Sequence, residues 1–293
     1  GTFFAEDESN LEQAQIRVKN YLREKPGSLT KILISEFISG PVVSVTAVAT
    51  RWGTWCSNLQ QQLIDIPQVN NRRSNGVFCG HDWSASDSIP ESVSKAAIKE
   101  SQAFGDEIYR LGFRGFFGLD LIFDEGKQKA FIIECNPRFT GVLPTLDMIQ
   151  SAAGLVPFLG LHLLEFLGDE AEKVDFKAIQ SELERHKKGA HLIFQSKEKS
   201  GFVKIALQPG IYRVEDAKLK YLRPGYKIKH LNSDAEFILI EFPDQKTLIK
   251  SNSRIGRLIT RNSISTSYNK LNDWADQISQ LFYKAVTIEP VHS

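Results

Sequence analysis

Two strongly apolar segments of this sequence each carry an acid. Gly-Phe-Arg-Gly-Phe-Phe-Gly-Leu-Asp-Leu-Ile-Phe occupies 112–123, and Phe-Ile-Ile-Glu-Cys-Asn-Pro-Arg-Phe-Thr-Gly occupies 131–141. The polar stretch 124–129 between them reads as the turn of a hairpin. With the chain reversing near 126–128, Asp120 falls almost opposite Glu134. Asn136 lies two residues beyond Glu134 and shares its face. Three oxygen-bearing side chains therefore converge at one spot on an apolar ribbon.

Like charges facing each other across a ladder are unfavourable, and burial makes the pairing worse. Two arrangements would compensate. A divalent cation could sit between the acids; a set of hard oxygens without Cys or His selects Mg²⁺ or Mn²⁺ over Zn²⁺. Alternatively, Asp120 pairs with Arg114 or Arg138 and Glu134 faces water. Spacing alone leaves both open.

The elements that must position this hairpin are read from periodicity and punctuation. Residues 10–24 have an amphipathic helical pattern ended by Pro26-Gly27, and 31–38 and 42–50 read as strands. Gln60, Gln61 and Gln62 read as surface at a strand end, with a polar contact to phosphate as the other reading. Residues 66–90, with His81, Asp82 and Trp83, read as a long loop, either locally packed surface or a cover for a site. Ser88 and Glu91 have the spacing of a capping box, and the helix after them ends at Gly112. Residues 144–167 read as helix interrupted at Pro157. After the charged stretch 169–188 come short strands over 190–195, 202–207, 211–214, 226–230 and 236–242, then a closing helix from about Ser267. His162 reads as a core histidine, Cys135 as a core side chain facing away from Glu134, and Arg254, Arg257 and Arg261 as a solvated basic face or an anion contact.

The hairpin, with its acid on one strand and Glu-Cys-Asn-Pro-Arg on the next, resembles the metal-binding hairpin of the ATP-grasp enzymes. Ile34-Ser-Glu-Phe-Ile followed by Gly40 and Ser44-Val45 resembles the strand that hinges over adenine in the same family. The likeness covers about residues 1–165. It implies an α+β fold, an ATP-grasp-like antiparallel sheet with flanking helices followed by a smaller β-rich carboxyl-terminal region. The implied divisions are a nucleotide and metal region at 1–168, a charged linker or helix at 169–188 and a β-rich region with a closing helix at 189–293.

Carried over residue by residue, the resemblance implies that Asp120, Glu134 and Asn136 hold Mg²⁺ (or Mn²⁺) against the phosphates of ATP. It implies that Arg138 contacts the transferred phosphate or the acyl-phosphate intermediate, and that Thr140 and Gly141 shape the acceptor end. The segment Ser35, Glu36, Phe37 and Ile38 would read the adenine edge, and Ile122 or Ile133 would pack on its face. The sequence departs from the family at Ser35 and Val42, where acids are usual, so Val42 offers ribose no carboxylate. In the family a glycine-rich loop and a lysine precede a strand like 1–5. The chain is therefore expected to be a fragment lacking its amino-terminal domain.

The activity implied is an ATP-dependent ligase joining a small carboxylate to an amine, of amino-acid or peptide type, through an acyl phosphate. A biotin-carboxylase-like or purine-pathway enzyme and a non-catalytic nucleotide-binding module are the alternatives. The 36 Lys and Arg nearly cancel the 35 Asp and Glu, leaving a net charge of +1. That balance gives no overall field for nucleic acid or an anionic membrane. No apolar run reaches the length of a membrane span. The three cysteines cannot all pair and lack metal-finger spacing, so a cytoplasmic location is expected. The oligomeric state is left open, a homodimer included.

Overall fold

The computed structural model describes residues 5–27, 32–70, 76–167, 174–185, 188–197, 200–205, 207–251 and 253–290. It divides into two compact units, residues 1–38 and 39–293. The first holds α1 (Glu8–Glu24), whose amino terminus is capped by the Asp7 carboxylate accepting the Asn10 N–H at 2.7 Å. Residues 32–38 follow without regular structure and largely exposed, Leu33 at 90%. The strand expected over 31–38 is thus not formed across the described residues. The run has strand composition, but no ladder among the described residues of this unit takes up its backbone groups. Residues 1–4 and Lys31 lie outside the described residues.

The first half of the second unit carries β1 (Val42–Thr50), β2 (Gly53–Cys56), β3 (Gln60–Ile64), β4 (Phe78–Asp82), α2 (Glu91–Arg110), β5 (Gly115–Asp124) and β6 (Lys129–Asn136). Next come α3 (Leu143–Ala152), α4 (Phe158–Leu167) and α5 (Phe176–Glu184). The second half has β7 (Ala190–Gln195), β8 (Ser200–Ile205), β9 (Gly210–Glu215), β10 (Lys218–Arg223), β11 (Phe237–Ile240), β12 (Leu248–Lys250) and β13 (Arg254–Thr260). It closes with β14 (Ser265–Ser267), β15 (Lys270–Leu271), α6 (Asp273–Ala285) and β16 (Thr287–Pro290). No helix among the described residues is long and apolar enough to cross a membrane.

Among the described residues the main sheet runs β10-β9-β11-β13-β7-β4-β3-β1-β5-β6, with β2 paired to β1, and its pairings are antiparallel. Two small sheets, β12-β8-β16 and β14-β15, lie in the carboxyl-terminal part. The boundary expected between 168 and 189 does not divide the main sheet, because β7 pairs with β4, Gly80 opposite Leu192 and His81 opposite His191. That pairing is close: a Cβ on Gly80, whose φ is +145°, would stand 2.1 Å from the His191 carbonyl oxygen.

Strand β1 is buried on both faces, and its two faces differ. Val43, Val45, Ala47 and Ala49 join Phe117, Leu119, Leu121 and Phe123 of β5 in a core beneath Val93, Ala97 and Ile98 of α2. The alternate residues Ser44 and Thr46 face the other way, as do Gly118 and Asp120, their partners on β5. The sheet therefore has one apolar face under α2 and one face that is polar across its middle. Nearby, the buried Glu165 of α4 accepts from Arg51 and Arg114, which fastens α4 to the β1–β2 turn and the start of β5.

Three local readings are corrected. Residues 66–90 are not one long loop, since β4 and a 3₁₀ turn at Ser84–Ser88 lie within them, though 71–75 fall outside the described residues. No capping box forms. Pro90 precedes α2 without a side-chain cap, Ser88 donates to the Ala85 carbonyl, and Glu91 pairs with Lys95. Residues 228–230 are a 3₁₀ turn rather than part of a strand, and the strand is β10, where lysines alternate on an outer edge of the sheet.

Candidate active site

Strands β5 and β6 form the hairpin read from the sequence. Asp120 pairs with Glu134, and Gly118 pairs with Asn136. The register shifts between Asp120 and Leu121 because Leu121 pairs with Ile132, which makes Ile133 the extra residue of a bulge. Ile133 is exposed beside Glu134, and Ile122 shares the Asp120 face. Cys135 lies opposite Leu119 and packs on the α2 side, away from Glu134.

Asp120 is the best-held acid. Its Oδ1 accepts from Ser44 Oγ at 2.9 Å and Gln62 Nε2 at 2.5 Å, and its Oδ2 accepts from Asn136 Nδ2 at 3.3 Å. Burial holds its carboxyl above the ordinary carboxylate range, and the Glu134 charge adds to this. The Ser44 and Gln62 hydrogen bonds and the Arg138 charge oppose it. Glu134 is exposed. The exposed Arg138 donates from Nη2 to Asn136 Oδ1 at 3.0 Å. Arg114 does not pair with Asp120; it donates to Glu165 and Tyr109.

The donor set is two carboxylates and one amide on one face, the hard-oxygen chemistry of Mg²⁺. Among the described residues no group of three or more His, Cys, Asp or Glu side chains is gathered for a metal. The Asn136 amide nitrogen and the Arg138 guanidinium supply the positive partners here. A turn of that amide would present its oxygen beside Asp120 and Glu134, so the residues fit a hard dication.

Behind the hairpin lies a buried polar floor that sequence reasoning missed. Gln60, Gln61 and Gln62 are all buried on β3, contrary to the surface reading. Gln62 donates to Ser44 as well as Asp120, and Gln60 donates to Thr46. His81 and Asp82 are buried in β4 and Trp83 directly after it, so none of the three covers the site from a loop. Asp82 accepts from Ala85 N, Ile264 N, Ser265 N and the Ser263 and Ser265 hydroxyls, which anchors the β13–β14 connection. His81 continues the floor to His191 on β7 and Thr145 on α3.

Thr140 and Gly141 lie between the hairpin and α3. Thr140 stands over Gly118, where a Cβ would approach its Cγ2 to 3.3 Å, and among the described residues its buried Oγ1 has no hydrogen-bond partner. The Gly141 carbonyl accepts from Arg257 Nη1 at 3.4 Å. Arg257 is only 3% exposed and is held by Glu241, whose carboxylate also takes Arg254. The solvated basic face is therefore not observed: Arg261 turns away to the Leu231 carbonyl and Asp234. His162 accepts from Phe116 N and lies half-buried between the exposed Phe139 and Phe166, so it is satisfied but not in the core. The adenine-reading candidates Ser35, Glu36, Phe37 and Ile38 fall in the first compact unit, in its irregular segment.

The family model for the ATP-grasp domain matches residues 11–142, a span that ends just past the hairpin. Residues 11–142 carry an ATP-grasp domain. No curated protein matches the sequence. The ATP-grasp fold extends to solved structures. An L-amino acid ligase from Bacillus licheniformis is 16% identical with a TM-score of 0.59, over 100% of this chain and 63% of that one. The biotin carboxylase domain of the Hydrogenobacter thermophilus 2-oxoglutarate carboxylase, a dimer solved with MgADP, ADP and bicarbonate, is 12% identical with a TM-score of 0.57, over 97% and 53%. Biotin carboxylase from Campylobacter jejuni, solved with an ATP complex, is 13% identical with a TM-score of 0.56, over 97% and 54%. The chain thus spans between 53% and 63% of the length of these ATP-grasp proteins.

Proposed function

We propose that this ATP-grasp chain belongs to an ATP-dependent ligase that joins a small carboxylate, of amino-acid or peptide type, to an amine through an acyl phosphate. The observation that carries this reading is the convergence of Asp120, Glu134 and Asn136 on one sheet face, with Arg138 hydrogen-bonded to Asn136. A carboxylate and a nucleoside triphosphate repel each other, so activation requires positive charge at the point of transfer. Asp120, Glu134 and Asn136 would hold Mg²⁺ there. When bound, it neutralises phosphate charge.

Arg138 is exposed at the mouth of this set and would meet the oxygens of the phosphoryl group as the carboxylate oxygen attacks γ-phosphorus and ADP leaves. The acyl phosphate then loses inorganic phosphate to an attacking amine, which gives up a proton as the amide forms. The unpartnered Thr140 Oγ1 beside Gly118 suits a polar contact to the acceptor at that end. The segment 35–38 is proposed to read the adenine edge through its backbone. The L-amino acid ligase among the structural neighbours supports the substrate class by its name.

The test is calorimetry of ATP with Mg²⁺ on the full chain, paired with phosphate release across a panel of amino acids with and without an amine acceptor. Saturable binding together with release that needs both substrates supports the ligase. Binding without release under every acceptor favours a nucleotide-binding module, and release driven by bicarbonate alone favours a carboxylase-like enzyme.

A further inference from the structure

The buried polar floor is a single hydrogen-bonded row whose direction is determined from its Asp120 end. Ser44 has one hydroxyl proton and gives it to Asp120 at 2.9 Å. Toward His81 Nε2, 3.5 Å away, Ser44 can then only accept, so the His81 proton resides on Nε2. The bare Nδ1 of His81 faces His191 Nε2 at 3.3 Å, so His191 donates from Nε2. That leaves His191 Nδ1 to accept from Thr145 Oγ1 at 2.8 Å, and Thr145 accepts from Arg257 Nη1 at 3.4 Å. The far end agrees with this assignment: Thr145 accepts from the Arg257 guanidinium, which only donates, and its own proton is left for His191 Nδ1.

The surroundings keep both rings neutral. Both histidines are buried, Trp83 and Phe78 pack against them, and Arg257 lies at the end of the row. Burial, with the Arg257 charge, pushes His81 down to about 3. Burial also pushes His191 well below the ordinary histidine range, and the charges of His81, Arg257 and Arg254 add to it. A second proton on His81 would set two N–H donors against each other across the 3.3 Å gap.

We propose that His81 and His191 are positioning residues. Their two Nε2–H tautomers tie the Arg257–Thr145–Gly141 end of the site to Ser44 and the Asp120 carboxylate, so the acid that would hold Mg²⁺ and the acceptor end are oriented together. The role in metal binding rests on the ligase reading; the tautomers do not.

Two measurements test this. In the wild-type chain labelled with ¹⁵N-histidine, NMR at neutral pH is expected to show His81 and His191 both protonated at Nε2 and bare at Nδ1. An Nδ1–H tautomer or an imidazolium at either ring overturns the positioning role alone. The second measurement is ADP binding as a function of Mg²⁺. His191→Phe keeps a ring but removes both nitrogens. It is expected to raise the Mg²⁺ needed for half-saturation about 10-fold, with ADP affinity at saturating Mg²⁺ changed less than about 2-fold. His191→Gln, whose amide offers one acceptor and one donor, is expected to recover most of that loss. Should His191→Phe fail to fold, Thr145→Val removes only the hydroxyl and is expected to act in the same direction. An unchanged Mg²⁺ requirement in the folded variant overturns the proposal. A wild-type chain that binds no ADP with Mg²⁺ overturns the ligase reading and the metal role together, whatever the tautomers.

Discussion

Asp120 and Glu134 stand directly opposite each other across the β5–β6 ladder. Like charges in that relation oppose the fold, and a cation held between them, as proposed, would offset the repulsion. The double variant Asp120→Asn with Glu134→Gln is therefore expected to abolish Mg²⁺-dependent ATP hydrolysis, at least about 100-fold. Its thermal stability should be unchanged or raised by about 1 kcal/mol. Phosphate release and a melting curve on the same preparation check both halves, and normal turnover would remove the pair from the site.

Arg138 is exposed and donates to the Asn136 amide oxygen and to the Phe139 carbonyl. A group that meets charge moving in transfer affects the rate more than ground-state binding. Arg138→Ala is expected to lower kcat by about 100-fold or more while KM for ATP changes by less than about 3-fold. Steady-state kinetics decide it: a rise in KM at constant kcat would assign Arg138 to substrate binding alone.

Gly80 and the His191 carbonyl leave no room for a side chain, and the Gly80 φ of +145° is one that other residues rarely adopt. Gly80→Ala must either part β4 from β7 or strain both strands. It is expected to cost roughly 2–4 kcal/mol in urea unfolding. A control at Gly141, where an added Cβ meets nothing within 4 Å, should be nearly neutral in stability. Equal stability of Gly80→Ala and wild type would contradict the close β4–β7 pairing.

The hairpin was legible because its strands are apolar, its turn is polar, and counting back from the turn sets Asp120 against Glu134. The long run of β-branched residues at 42–50 announced β1 for the same reason. The polar floor was not legible. Gln62, His81 and His191 look like surface residues in their local windows. They are buried because strands from three parts of the chain lie side by side, and only that pairing supplies their partners. Phe-Cys-Gly-His-Asp has no alternation to mark β4, and Arg257 hid within a basic cluster although it is the buried member. The error over 32–38 has the opposite cause: composition alone suggested a strand where none among the described residues pairs with it.

Asp147 supplies a prediction away from the hairpin. Its Oδ1 accepts the Phe158 N–H at 2.9 Å, which joins α3 to the start of α4, and burial pushes its carboxyl up to about 6. The unfolded carboxyl titrates near 3.9. Between about pH 4 and pH 6 the folded chain therefore holds more of this proton than the unfolded one, and stability falls as pH rises through that window. Asp147→Asn keeps an oxygen for the Phe158 N–H and removes the titration. Relative to wild type, its stability should improve by about 2 kcal/mol between pH 4 and pH 7, after allowance for the partial exposure of the site. Urea unfolding of both proteins at the two pH values checks it. A stability difference that stays constant with pH would mean that the Asp147 carboxyl is not strained by its burial.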